Sequence, residues 1–248
     1  MNAVGQKVTL ILSSPPYNIG KEYENKSALQ TYLEWQKQLI KEYYDVLSDN
    51  GTLVYQVGNF VDRGKVYPLD CLLFNYFIEQ GFIPRNRIVW TFGHGLHCTK
   101  RLSGRHETLM VFTKSEKYCF NLDDIRVPQK NPNKRYYKGP KKGQLSGNPL
   151  GKNPGDVWSD ITNVKNNHPE KTDHPCQYPL ELVRRVVKAY SNPSDTVFDP
   201  FMGSFTTACG AAELGRDFLG FELMPEYIEI GKKRLEESKA NRLLVEVN

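Results

Sequence analysis

The stretch TVFDPFMGSFTTACGAAELGRDFLGFE, residues 196–222, carries a strand–turn–helix–strand pattern. The apolar run at 196–198 predicts a short buried strand, and a Gly-Ser turn follows at 203–204. Residues 205–214 are predicted to form a helix, and residues 217–222 a second strand. Two strands joined by one helix are the repeating unit of a parallel sheet, so this stretch favours an α/β fold.

The rest of the chain repeats the alternation of strand-like and helix-like segments. Asp49-Asn50-Gly51 is predicted to end the first helix in a turn. We expect an α/β fold with a mostly parallel sheet, helices on both faces, and an antiparallel hairpin of two consecutive strands at one edge. The predicted strands are residues 8–12, 52–57, 87–92 and 108–113, the last two forming the hairpin, and the predicted helices are residues 29–47, 69–80, 179–190 and 225–238.

Composition limits the class of protein. The chain has 248 residues, of which 39% are hydrophobic and 25% charged, enough for one α/β domain with an insertion or for two small domains. No run approaches the roughly 18 apolar residues that span a bilayer, and no charged leader precedes a long apolar run at the N-terminus. The five cysteines form no CxxC pair, which indicates free thiols in a reducing compartment. We expect a cytoplasmic protein without membrane association.

Positive charge is concentrated in one segment. The chain has a net charge of +5, whereas residues 126–176 alone hold ten Lys or Arg and four Asp or Glu. The same segment is rich in Gly, Pro and Asn and carries Tyr136 and Tyr137. A solvated loop is one interpretation. Basic groups interleaved with aromatic rings also suit a phosphate backbone and unstacked bases, so the segment favours nucleic-acid contact.

The glycine turn at 203–204 has the features of a ligand site. It follows the carboxyl end of a predicted strand, where open α/β sheets bind ligands. Glu222 ends the next strand about 20 residues later, where a carboxylate can accept both hydroxyls of a ribose. The pattern indicates a nucleoside cofactor. The alternative is an ordinary strand–turn–helix with a surface glutamate.

A second loop with special chemistry is SSPPYNIG, residues 13–20. Pro15 and Pro16 end the preceding strand abruptly, because proline cannot donate to a sheet ladder. A hydroxyl precedes the two prolines, and the Tyr17 ring follows them. A rigid loop with these groups suits a flat ligand.

Taken together, SPPY after one strand and DPFMGS after another resemble the S-adenosylmethionine-dependent amino-methyltransferases of DNA. The order, with the catalytic loop first and the cofactor loop last, is similar to that of the β class. The resemblance implies a Rossmann-like methyltransferase sheet with a circularly permuted motif order. Further stretches that carry it are SPPYNIGKEYE (14–24), GNF (58–60), FGHGLH with SGRHE (92–107), HPCQYP (174–179) and GFEL (220–223).

The resemblance implies roles for individual residues. In the catalytic loop Ser14, Pro15, Pro16 and Tyr17, the Ser14 hydroxyl and the Pro15 carbonyl would accept hydrogen bonds from the target amine, and Tyr17 would stack on a flipped base. Glu222 would bind the ribose of S-adenosylmethionine, and His174 would lie near its methionine end. The implied cofactor residues are Ser13, Gln177, Pro179, Asp199, Pro200, Phe201, Gly203, Ser204 and Glu222.

The resemblance also divides the chain. Residues 1–114 and 173–248 would form the catalytic and cofactor-binding domain, and residues 115–172 an inserted basic target recognition region. Double-stranded DNA is the expected partner, with a cognate restriction endonuclease as a further one, and the protein is expected to be a monomer or homodimer. No metal is expected, since His94, His97 and Cys98 lack a fourth ligand. The implied DNA contacts are His94, Arg101, Arg105, Lys134, Arg135, Lys138, Lys141 and Lys142.

Several alternatives stay open at this stage. SPPY favours the N4 amine of cytosine, with the N6 amine of adenine as the alternative; an RNA or a protein glutamine amide are further substrates of the same chemistry. Phe205 stands where the family has a second glycine, and only a short segment precedes the first strand. Both features raise the alternative of a catalytically silent DNA-binding relic. Residues 243–248 are a candidate for an extra strand.

Overall fold

The first strand of the chain lies near the middle of a seven-stranded sheet in the computed structural model, which describes residues 5–246 and their side chains up to residue 239. The strands are β1 (Val8–Ser13), β2 (Leu47–Val57), β3 (Asn59–Asp62), β4 (Lys65–Pro68), β5 (Ile83–Thr91), β6 (His106–Thr113), β7 (Val157–Trp158), β8 (Thr196–Asp199) and β9 (Asp217–Gly220). The helices are α1 (Leu29–Val46), α2 (Leu69–Glu79), α3 (Leu180–Tyr190), α4 (Thr206–Glu213) and α5 (Pro225–Glu246).

The sheet has the order β7-β5-β6-β2-β1-β8-β9. Strand β6 pairs antiparallel with both β2 and β5, and the other pairings in this sheet are parallel. The predicted α/β class, the mostly parallel sheet and the hairpin of the strands near 87–92 and 108–113 are therefore confirmed. The hairpin lies at one side of the sheet, with only the two-residue β7 beyond it.

Two apolar clusters cover the two faces of the sheet. One cluster joins α1 and α2 to the sheet, and the other joins α3 and α4 to the opposite face. In α1 the buried positions Tyr32, Leu33, Gln36, Ile40 and Tyr43 follow a spacing of three or four, as the sequence predicts. Alternation along β1 sends Leu10 and Leu12 to one cluster and Ile11 to the other.

The predicted turn at Asp49–Gly51 is wrong. Helix α1 ends at Val46 as expected, but β2 begins at once with Leu47. The pairing of β1 with β2 jumps from Val8 opposite Leu47 to Leu10 opposite Thr52, so residues 49–51 form an irregularity inside the strand. The turn-forming residues are accommodated by a bulge.

A small hairpin of β3 and β4 was not predicted. Its strands are joined by Arg63 and Gly64, which have positive φ angles of 47° and 81°. A two-residue connection with both φ angles positive is typical of tight β-hairpins. Gly64 was the available signal, but strands of four residues are too short to show a clear alternation.

The C-terminal segment is helical. Helix α5 runs to Glu246, so the alternative of a strand at 243–248 is wrong for residues 243–246, and residues 247–248 lie outside the described part of the chain. Within the described residues, no helix combines the length and the apolar character that crossing a bilayer requires.

The basic segment returns to the sheet. It contains two isolated bridges, Val127 with Lys152 and Arg135 with Leu145, and then forms β7 beside β5. Three contacts, which we call the return anchor, hold this end: Trp90 Nε1 donates to the Ile161 carbonyl (2.9 Å), Arg185 pairs with Asp160 (2.6 Å), and the Arg185 guanidinium lies over the Trp158 ring.

Candidate active site

The loops that follow the parallel strands meet at one edge of the sheet and enclose a cavity of about 1270 Å³. Because β1 and β8 are neighbours in the sheet, residues 14–19 lie beside residues 200–204 and Thr206 on the cavity wall. Ligand pockets for one small molecule occupy roughly 300–1000 Å³. The cavity therefore has room for a cofactor and a second ligand at once.

The predicted catalytic loop, Ser14–Tyr17, lines this cavity, and hydrogen bonds from neighbouring side chains fix its backbone and that of the residues after it. The Glu24 carboxylate accepts hydrogen bonds from the backbone N–H groups of residues 18–21, at 2.8 to 3.3 Å. The Tyr32 hydroxyl donates to the Pro16 carbonyl (2.9 Å), and Gln36 donates in turn to Tyr32 (2.9 Å). A double proline on such supports leaves the loop little freedom.

The hydroxyls of Ser14 and Tyr17 are joined to a carboxylate. Ser14 Oγ lies 3.0 Å from Tyr17 Oη, and Tyr17 donates to Glu107 Oε2 at 3.2 Å. Gln56 Nε2 donates to the same Glu107 oxygen at 2.7 Å. Burial and the Glu107 charge raise the pKa of Tyr17 well above its usual value, so its hydroxyl stays protonated. Burial also raises the pKa of Glu107, against the effect of the hydrogen bonds from Gln56 and Tyr17.

The glycine turn lies at the other end of the cavity. Gly203 has a φ of +49°, and a Cβ there would lie 2.8 Å from His174 Nε2, so a side chain is excluded. Glu222 Oε2 accepts from the Gly203 N–H (2.8 Å), and Oε1 accepts from the N–H groups of Leu223 (2.8 Å) and Met224 (2.9 Å). Both lone pairs of Oε1 are thus occupied, whereas Oε2 keeps one for a further donor such as a ribose hydroxyl.

Asp199 organises the turn from behind. Its Oδ1 accepts from the Phe201 N–H (3.0 Å), and its Oδ2 accepts from the hydroxyls of Thr207 (2.6 Å) and Tyr178 (3.1 Å). Burial raises the pKa of Asp199 to about 6, against the effect of these hydrogen bonds. The carboxylate is 1% exposed and fixes the turn through hydrogen bonds to its backbone and to α4.

Three predicted cofactor residues lie behind the cavity wall, and their part in binding the cofactor stays a prediction. Ser13 is fully buried at the end of β1, Pro179 precedes the first turn of α3, and Asp199 is enclosed as described. The Gln177 amide reaches the wall but also bonds to Thr172 (2.8 Å) and the backbone. The predicted cofactor residues on the wall are Gln177, Pro200, Phe201, Gly203, Ser204 and Glu222.

An aromatic group surrounds His174. Its ring stacks with Tyr23 at 5.8 Å and meets the edge of Tyr227 at 4.5 Å. Burial, with the charges of Lys171 and Arg234, lowers the pKa of His174 to about 4. The imidazole is therefore neutral at pH 7 and adds no positive charge beside a cationic ligand.

Phe205 does not crowd the glycine turn. It adopts a left-handed conformation with φ of 62° just before α4. A Cβ on Gly231 of α5 would come within 2.2 Å of the Phe205 ring, so the ring packs against the bare backbone of that helix. Phe205 is absent from the cavity wall, whereas Gly203, Ser204 and Thr206 line it.

The predicted DNA contacts fall into two groups. His94 lines the cavity, and Arg105 donates to the carbonyls of Gly104 (2.7 Å) and Leu96 (3.3 Å) in the same β5–β6 loop, where Arg101 is exposed. The others project from the basic segment, are exposed and do not reach the cavity: Lys134, Arg135, Lys138, Lys141 and Lys142. In the described part of the chain, no group of three His, Cys, Asp or Glu could hold a metal.

Several wall residues were given no individual role from the sequence, although Glu107 ends SGRHE, one of the stretches that carry the resemblance. Glu107 stands at the start of β6, and because this strand is antiparallel, its first residues reach the edge where parallel strands end. Gln56 lies near the end of β2, and Asn163 comes from the basic segment. Tyr23 had a signal, since it lies within the stretch that resembles the catalytic loop.

The chain is similar in sequence to known proteins. A protein-family model described as "DNA methylase" matches residues 8–233. The chain belongs to this N6/N4 DNA methylase family. It is 50% identical over 224 residues to the type II methyltransferase M.BglII of Bacillus subtilis, covering 90% of this chain and 62% of that protein. It is 33% identical over 236 residues to the DNA adenine methyltransferase YhdJ of Escherichia coli K12, covering 93% and 77%.

Solved structures agree with the fold of the family. The modification methylase TTHA0409 of Thermus thermophilus is 26% identical with a TM-score of 0.66, covering 96% of this chain and 91% of that one. The cytosine-N4-specific PvuII DNA methyltransferase has a TM-score of 0.72 at 20% identity, covering 96% and 84%. The expected methyl donor is confirmed at the level of the family, which uses S-adenosylmethionine.

Proposed function

We propose that this chain transfers a methyl group from S-adenosylmethionine to the exocyclic N4 amine of a cytosine flipped out of duplex DNA. The observation that carries the proposal is the single cavity, with the Ser14–Tyr17 loop at one end and the Gly203 turn with Glu222 at the other. Such a cavity suits a base and a methyl donor held face to face.

The catalytic loop has the groups that an exocyclic amine needs. The lone pair of the amine nitrogen is delocalised into the base, so the nitrogen must be drawn towards tetrahedral geometry before it attacks the methyl group. The Ser14 hydroxyl and the Pro15 carbonyl accept hydrogen bonds from the two N–H groups, while the Pro16 carbonyl is already bonded to Tyr32. Tyr17 stacks on the base. Alignment of amine and methyl group lowers the barrier further.

The cofactor end fits S-adenosylmethionine by its shape and its donors. When bound, this cofactor supplies an electrophilic methyl group on a sulfonium. The absence of a side chain at Gly203 leaves the backbone accessible, and Glu222 accepts from the ribose through the free side of Oε2. The neutral His174 and its aromatic neighbours face the methionine end without repelling the sulfonium.

Cytosine is preferred over adenine because of Ser14. Serine is a shorter and neutral acceptor, whereas an Asp or Asn in its place reaches further towards an adenine amine. Adenine N6 is the second candidate, supported by the 33% identity to an adenine methyltransferase. The experiment is a mass-spectrometric digest of unmethylated DNA incubated with the protein and cofactor. N4-methylcytosine is expected, and N6-methyladenine alone would overturn the choice of base.

The basic segment supports duplex DNA as the substrate. We assign residues 115–172 to target recognition, with Lys134, Arg135, Lys138, Lys141 and Lys142 on the phosphates. The β5–β6 loop with His94, Arg101 and Arg105 contacts DNA nearer the flipped base. The type II relatives support a role beside a restriction endonuclease in a bacterial cytoplasm.

The catalytically silent alternative rests on Phe205 in the cofactor loop and on the short segment before the first strand. Of these two features, the Phe205 ring packs on α5 at Gly231. Calorimetric titration with S-adenosylmethionine separates the enzyme from this alternative: binding in the micromolar range supports the enzyme, and no heat at millimolar cofactor supports the relic.

A further inference from the structure

Ser14, Tyr17 and Glu107 form a chain of side-chain hydrogen bonds. Its heavy atoms are separated by 3.0 Å and 3.2 Å, and all three residues line the cavity at the base end. Gln56 Nε2 holds the far end by donating to Glu107 Oε2 at 2.7 Å. Glu107 comes from β6, outside the loop to which the catalytic roles are assigned.

The direction of hydrogen bonds in this chain follows from the carboxylate. An ionised carboxylate only accepts, so the single hydrogen of Tyr17 points to Glu107. The Tyr17 oxygen then accepts, and the hydrogen of Ser14 points to Tyr17. The other side of Ser14 Oγ consequently carries lone pairs, which can accept a hydrogen bond from an amine N–H.

We propose that Glu107 is a positioning residue for methyl transfer, whose carboxylate sets the direction of the Tyr17 and Ser14 hydroxyls so that Ser14 accepts from the target amine. The proposal rests on the role of Ser14 given above. Without the carboxylate, Tyr17 is free to donate to Ser14, and Ser14 then turns its hydrogen towards the amine.

Local packing supports this role. A Cβ on Gly58 would lie 3.1 Å from the Tyr17 ring and 3.4 Å from Glu107 Cγ, so the bare backbone lets the two side chains approach. The Gln56 backbone carbonyl, 3.4 Å from Tyr17 Oη, is the competing acceptor. This distance is longer than the 3.2 Å to Glu107 Oε2, and the carbonyl is uncharged. The charged acceptor therefore dominates the choice of direction.

The protonation of Glu107 adds a second readout. Burial raises its pKa, while Gln56, Tyr17 and the His106 charge act against the rise. His94 and Lys171 also line the cavity. As the pH falls through the raised pKa, Glu107 gains a hydrogen and becomes able to donate to Tyr17, which removes the fixed direction. Turnover should therefore decline on the acid side at a higher pH than an ordinary glutamate would cause.

The test compares Glu107→Leu with Glu107→Gln. Single-turnover rates are measured with tritiated S-adenosylmethionine and unmethylated phage λ DNA, together with the Kd for cofactor and for DNA. Leucine removes the acceptor, so we expect the rate at pH 8 to fall about 100-fold while both Kd values stay within about threefold. Glutamine keeps an acceptor oxygen and cannot ionise. The single-turnover rate of Glu107→Gln should be at least about tenfold higher than that of Glu107→Leu. The acid-side decline in rate should be absent from Glu107→Gln.

Two results would overturn the proposal: a Glu107→Leu rate within about threefold of the parent, or an acid-side decline that persists in Glu107→Gln. Ser14→Ala separates this proposal from the one on which it rests. If Ser14→Ala is inactive and Glu107→Leu is not, only the positioning role fails. If Ser14→Ala keeps the parent rate, the acceptor role of Ser14 fails first.

Discussion

The cavity wall and the basic segment differ in how their polar groups are used. At the cavity, Glu24 and Glu222 on the wall and Asp199 behind it each accept hydrogen bonds from backbone N–H groups of a loop, so the loops are fixed by the protein itself. In the basic segment the lysines at 134–142 are exposed. The reacting groups are thus prearranged, whereas the groups assigned to DNA keep their charge available for the phosphates.

The largest expected effect tests the prearranged side. Ser14→Ala removes one acceptor aimed at the amine and should lower the single-turnover rate by about 100- to 1000-fold. Because the cofactor end is untouched, the Kd for S-adenosylmethionine measured by calorimetry should be unchanged. A comparable loss in both quantities would mean that the loop supports the whole cavity and is not specific to the base.

Glu222→Ala should do the reverse of Ser14→Ala. It removes the proposed ribose acceptor and frees the Gly203 N–H, and hydrogen bonds to a charged group contribute about 1.5–3 kcal/mol. The Kd for S-adenosylmethionine should rise by about 10- to 150-fold, with most of the rate recovered at saturating cofactor. A rate that stays low at saturation would contradict a binding role.

Gly231→Ala tests how firmly the cofactor loop is supported. A Cβ there meets the Phe205 ring, so the substitution should destabilise the protein by about 1–3 kcal/mol in chemical denaturation. The matched control is the double variant Phe205→Gly with Gly231→Ala, which removes the clash. Measured against Phe205→Gly alone, the added methyl group should cost less stability in the double variant than Gly231→Ala costs in the parent. If the two costs are equal, the ring does not pack on α5.

The smallest expected effect lies on the DNA side. Replacing Lys141 and Lys142 by Ala should weaken DNA binding and lower the slope of log K against log salt by about 2. Lys37 and Lys41 of α1 provide a control of equal charge, since each pairs with an acidic side chain of its own. Equal slopes for both double variants would remove these two lysines from the DNA interface.

The sequence predicted the fold well where local patterns decide it. The helical spacing of α1 and the strand–turn–helix at β8 and α4 are set by neighbouring residues, and the structure agrees. The two loops that Pro15-Pro16 and Gly203 marked in the sequence both line the cavity, and their roles there stay predictions.

What the sequence did not reveal depends on long-range pairing. Glu107 reaches the cavity only because β6 runs against its neighbours, and β7 has two residues whose place is set by β5. Asp199 carries a strong local signal, yet whether it faces a ligand or the loop behind it depends on Tyr178 and Thr207, which come from other elements. No local pattern encodes such relations.

The return anchor has a consequence for protein engineering. The segment proposed for target recognition leaves the sheet after β6 and rejoins it through Asp160 and Ile161, which contact Arg185 of α3 and Trp90 of β5. The outcome for a chimera that takes this segment from a relative therefore depends on its second splice site. A cut between residues 152 and 157 would keep this chain's own Asp160 and Ile161 against Arg185 and Trp90, whereas a cut after residue 161 would leave Arg185 and Trp90 facing foreign neighbours.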